Sequence, residues 1–135
     1  MAILDNEMIM ANALADTTVG AHDSKIIDFA VPGAGYEKKV LLTINTSFAS
    51  SGSATDAFAI QTAADSAFTS PTTLYSTSAA AYTNFTAGKK VLEYTLPAEV
   101  LRYVKVVHTI ATAALTAGAY NAWVDDAQQT NMNIL

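Results

Sequence analysis

Two histidines, His22 and His108, and no cysteine are what the sequence offers toward general acid–base, thiolate or imidazole–metal chemistry. His108 lies on the inward register of a strand-like run, so a core histidine is the plainer reading there. His22 precedes Asp23 in a segment that reads as a solvated turn, and neither ring has an obvious sequence partner. Asp125 and Asp126 are adjacent; in a strand they point to opposite faces and do not share one metal or one substrate. A serine hydrolase elbow, a dinucleotide fingerprint and a P-loop are all missing, and Gly33-Ala34-Gly35 alone is too short to cradle a phosphate. The expectation is a protein that is not an enzyme, with no catalytic residue, no metal and no cofactor. Trp123, Tyr75, Tyr82, Tyr94, Tyr103 and Tyr120 are the side chains able to stack on a sugar ring. Single tyrosines along strands more often cover a core or an edge.

The charge pattern narrows the partners. Only 14% of residues are charged and the net charge is −5. Asp5, Glu7, Asp16 and Asp23 make the first stretch acidic, and Asp125 and Asp126 do the same for the end. Lys38-Lys39 and Lys89-Lys90 are the only basic pairs, short of the clustered stripe that binds nucleic acid. No apolar run reaches the roughly 18 residues of a membrane span, and the first residues lack the basic start of a secretory signal. Without cysteine the domain is held by packing alone, which suits a reducing cytoplasm. A surface built from Ser, Thr and Ala in place of charges costs little to desolvate, which favours a protein that lies against other subunits.

The elements that must position these residues read as short strands. From Val40 to Phe48, Val40, Leu42, Ile44 and Phe48 fall on one face and Leu41, Thr43 and Asn45 on the other. Further strands are predicted at Ser24 to Phe29, Ala57 to Thr62, Thr72 to Ser76, Lys89 to Leu96, Arg102 to Ala111 and Ala119 to Val124, with Val104, Val106 and Ile110 facing inward. Glu7 to Leu14 is a strand or extended arm, although its spacing also fits a helix. Turn residues punctuate the runs at Val31 to Gly35, Ser50 to Ser53, Ser70-Pro71, Ala87-Gly88 and Ala117-Gly118. Pro97 to Leu101 is expected to form a single helical turn, and Ser66 to Thr86 to form exposed loops around one strand. This is the pattern of an all-β, two-sheet antiparallel sandwich, a jelly roll of about eight strands.

The chain divides into residues 1–23, an N-terminal arm or first strand; 24–124, the sandwich; and 125–135, an acidic tail. The core pattern becomes clear only at Ser24, so Met8, Ile9 and Met10 are expected to be available to a partner, methionine being common at adaptable interfaces. Trp123, and Ile134 with Leu135 at the end, complete the candidate partner or oligomer contacts.

The order of several short pieces resembles the jelly-roll cement, or decoration, proteins of short-tailed bacteriophages of the Bordetella-phage type. They are Ile3-Leu4-Asp5, Ile26-Ile27-Asp28-Phe29, Thr46-Ser47-Phe48, Gln61 to Thr72 with Leu74, Leu96-Pro97, Arg102-Tyr103 and Thr116 to Ala119. His108 departs from the aromatic or aliphatic core residue expected there, and residues 125–135 extend past the likeness. The resemblance implies a homo-oligomer, a dimer before a trimer, on the outer surface of an HK97-like capsid. It would bind the major capsid protein, clamp neighbouring capsomers and assemble in the host cytoplasm, with no nucleic acid or membrane as partner. A tail or fibre component and a carbohydrate-binding sandwich module are the alternatives.

Overall fold

The computed structural model describes residues 8–126. Ten strands run through them: β1 (Ile9–Leu14), β2 (Gly20–Asp23), β3 (Ile27–Asp28), β4 (Lys38–Ala49), β5 (Thr55–Ala63), β6 (Thr72–Ser76), β7 (Ala80–Ala81), β8 (Lys90–Thr95), β9 (Tyr103–Ala111) and β10 (Ala117–Asp126). One sheet has the order β1-β10-β4-β8. The other has β2-β9-β5-β6, with β3 also on β9 and β7 also on β5. Every pairing is antiparallel. Counting β2 with β3 and β6 with β7 as interrupted strands leaves eight, and the chain then crosses repeatedly between sheets in jelly-roll order.

Hydroxyl side chains make both interruptions. At the first, Ser24 N–H donates to the Val106 carbonyl at 2.9 Å, while Ser24 Oγ accepts from Val106 N–H at 2.9 Å. The next amide, Lys25 N–H, turns away to the Met10 carbonyl of the opposite sheet at 2.9 Å. The run expected as one strand from Ser24 to Phe29 is therefore split, with pairing to β9 resuming only at Ile27. At the second break Thr77 N–H donates to the Phe58 carbonyl at 2.8 Å and Thr77 Oγ1 accepts from Phe58 N–H at 3.0 Å. Ser and Thr thus substitute for ladder groups that the backbone cannot supply where it leaves the sheet.

Alternation sets the core. Val40, Leu42, Ile44 and Phe48 of β4, with Tyr120, Ala122 and Val124 of the neighbouring β10, face Phe58 and Ile60 of β5 and Val104, Val106 and Ile110 of β9, all buried. Burying each large aliphatic or aromatic side chain contributes roughly 1.5 to 3 kcal/mol. Phe48 approaches the backbone closely: a Cβ at Gly118 would stand 2.5 Å from Phe48 Cδ1, and Gly118 has φ of 142°, so only glycine fits at this irregularity of β10.

Two local expectations change. The core pattern begins before Ser24, because Met10 and Ala11 are 2% and 5% exposed and β1 pairs with β10. Pro97 to Leu101 is a turn closed by Val100 N–H on the Pro97 carbonyl at 3.2 Å, not a helical turn. The amides and carbonyls nearby bond outward instead, Gly33 N–H to the Val100 carbonyl and Glu37 N–H to the Leu96 carbonyl.

Candidate functional site

The most concentrated polar chemistry lies inside the sandwich. β5 places Asp56, Phe58, Ile60 and Thr62 on its inner face, and β9 places Val104, Val106, His108 and Ile110 on its own. His108 is directly opposite Phe58 in register and stacks on it, with ring centroids 4.5 Å apart and planes 12° from parallel. Asp56 comes from two residues earlier on β5, so its carboxylate meets the imidazole diagonally. His108 Nε2 donates to Asp56 Oδ1 at 2.7 Å, and His108 Nδ1 lies 3.3 Å from Asp16 Oδ2 on the β1–β2 connection. The pair is sealed, His108 being 1% exposed and Asp56 0%. Among the described residues the remaining Asp56 oxygen, Oδ2, has no partner, and neither has the buried Tyr120 hydroxyl.

Both histidines grip the same connection. His22 is on β2, across the ladder from His108 and not in a turn, and its Nε2 donates to the Thr18 carbonyl at 2.7 Å. Leu115 N–H donates to the Thr17 carbonyl at 2.8 Å. Residues 16 to 18 are thus fixed at each position, which ties the link between the two sheets to the core. An Asp-His pair is half of a nucleophilic triad; among the described residues the side chains hydrogen-bonded to this imidazole are carboxylates, those of Asp56 and Asp16. Among the described residues no group of three or more His, Cys, Asp or Glu could hold a metal ion. The sequence hid this constellation only in part: a carboxylate on the inward register of β5 is itself the signal for a buried partner, and His108 is the inward polar residue on the strand beside it.

The surface carries simpler electrostatics. Glu93 on β8 accepts from Lys39 Nζ at 2.8 Å and from Lys90 Nζ at 2.6 Å, and these hydrogen bonds hold its carboxyl down at about 2. Arg102 forks onto Asp28 at 2.7 Å and 3.0 Å; with the Ala30 N–H this keeps the Asp28 carboxyl below its ordinary range. Burial, then the charges of Asp16 and Asp23, push the Tyr120 phenol upward. Tyr75 and Tyr94 stack on each other at 5.0 Å across the open side between β6 and β8 and do not form a flat platform of three. A shallow groove of about 220 Å³ beside β1 is lined by Ile9, Met10, Ala11, Asn12 and Lys25.

The candidate contact residues separate. Met10 is spent on the core. Met8 packs partly against the core. Ile9 stands directly across from Trp123, and Trp123 from Leu41, all three half-buried on the outer face of the β1-β10-β4-β8 sheet. Ile134 and Leu135 lie outside the described residues. Asp125 and Asp126 end β10, opposite Lys39 and Lys38.

Fold and site together define a jelly-roll sandwich with a buried aspartate–histidine cluster between its sheets. The chain belongs to the Bbp16 family, whose model matches residues 5–124, and the family name points to a protein of a Bordetella phage. No curated protein matches it.

Proposed function

We propose that the protein is a structural component of the virion, a cement or decoration protein that sits on the outside of the phage capsid. In this reading it binds the major capsid protein, clamps neighbouring capsomers and catalyses nothing. The observation that carries this reading is membership of a phage family over residues 5–124. A sandwich whose acid–base groups are enclosed supports it, as does a surface poor in charge.

The mechanism is added interface. A subunit that binds the assembled lattice but not the free capsid protein stabilises the lattice by mass action, by ~2.7 kcal/mol per site at a concentration of about 100 Kd. A dimer engages two lattice sites at once and multiplies that effect through effective concentration. The test is to add purified protein to mature shells that lack it and measure occupancy and heat resistance. Saturable binding with a higher disruption temperature is expected. Absence of binding to shells, with binding to tails or to glycans instead, refutes the proposal.

A further inference from the structure

Resting on that capsid-binding reading, we infer that the outer face of the β1-β10-β4-β8 sheet, centred on Trp123, is the surface that seats on the shell. Its partner there is a protein surface that is apolar and neutral at the contact. Three apolar side chains from three strands meet in one register row, Ile9 to Trp123 to Leu41, and the row continues into Glu93. The rows on either side supply Thr43, Asn121 and Thr95, which are uncharged.

The charges around the row are already matched. Lys39 and Lys90 both bond Glu93, and Asp125 stands opposite Lys39, so these two cations and two anions cancel around the row, with Lys25 at the edge of the face in the groove beside Ile9. A neutral, internally paired frame asks no counter-charge of its partner and is cheap to cover, whereas an acidic or basic partner would leave its own charges unmatched. The opposite sheet is different because its outer face is roofed by the chain itself. Phe68 of the β5–β6 connection is 8% exposed, with Lys105 Nζ 4.4 Å from its ring centroid, and Lys105 and Val107 at the centre of β9 are each 9% exposed. Of the two outer faces, the Trp123 face is the one whose central apolar side chains remain half open.

The absence of cysteine makes the test direct. Thr43→Cys reports on this face and Thr109→Cys on the opposite one, each as the only thiol in an otherwise complete chain. Maleimide labelling of free and shell-bound protein is expected to slow about tenfold or more at position 43 and to stay unchanged at position 109. Trp123→Ala is expected to cut shell occupancy about tenfold or more, and wild-type occupancy to hold across a tenfold rise in salt. Protection at position 109 with position 43 open overturns the inference and leaves the capsid-binding reading standing. Protection at position 43 in the free protein that vanishes on dilution assigns the face to a second copy and also overturns it. Failure of wild-type protein to bind shells overturns both. If Trp123→Ala does not fold, the labelling pattern still decides.

Discussion

Replacing His108 with phenylalanine keeps an aromatic ring able to stack on Phe58 but strands the Asp56 carboxylate. Asp56 is 0% exposed, and among the described residues its Oδ1 bonds His108 Nε2 and its Oδ2 has no partner, so the substitution leaves a buried carboxylate without compensation. Removing one partner of a buried pair costs about 3 to 5 kcal/mol. That is a large share of the roughly 5 to 15 kcal/mol that holds a domain together. Asp56→Val is milder, about 1 to 3 kcal/mol, because His108 retains Asp16 at 3.3 Å. Making both changes replaces the pair by packed apolar groups and is expected to come close to wild type, since buried pairs and their apolar substitutes are often equivalent. The assay is urea unfolding of the four proteins, with midpoint and slope fitted together. A double variant whose cost equals the sum of the two single costs within about 0.5 kcal/mol refutes the reasoning, because the two groups would then not depend on each other.

Glu93 is expected to titrate near pH 2 by carboxyl NMR, and its midpoint to rise in Lys39→Ala and Lys90→Ala. A folded-state value below the ordinary 4.5 means that its contribution to stability is complete above pH 4.5 and fades as pH falls toward about 2. Tyr120→Phe removes a buried hydroxyl that has no partner and is expected to raise stability by about 1 kcal/mol. Because burial raises the Tyr120 phenol, wild type loses stability as pH climbs past 10 and the variant loses less, which alkaline melting curves would show.

Strands whose two faces differ in polarity were legible from sequence alone. Thr72–Ser76 matches its expected span, and Val40 to Phe48 lies inside β4 with the expected face buried. The misreadings share a cause, which is contact between residues far apart in sequence. Met10 packs in the core because β1 pairs with β10 at the other end of the sequence, a link that no local periodicity records. Asp56 and Asp16 converge on His108 only because β5, β9 and the β1–β2 connection meet in space. The break at Ser24 depends on its hydroxyl reaching Val106 on another strand. Trp123, by contrast, could be singled out as a surface aromatic, but its alignment with Ile9 and Leu41 follows from strand order.

The pairing of β1 with β10 has a consequence for engineering. Ile9 lies across from Trp123, so the chain enters and leaves the sandwich on neighbouring antiparallel strands. A short flexible linker joining the start of β1 to the end of β10 would close the sandwich backbone into a ring without disturbing either sheet, and the ring could be reopened at the exposed Ser51–Ser53 turn between β4 and β5. Such a permuted chain would carry fused cargo from the β4–β5 connection, at the opposite end of β4 from the residues beside Trp123, and leave the Ile9–Trp123 side unencumbered.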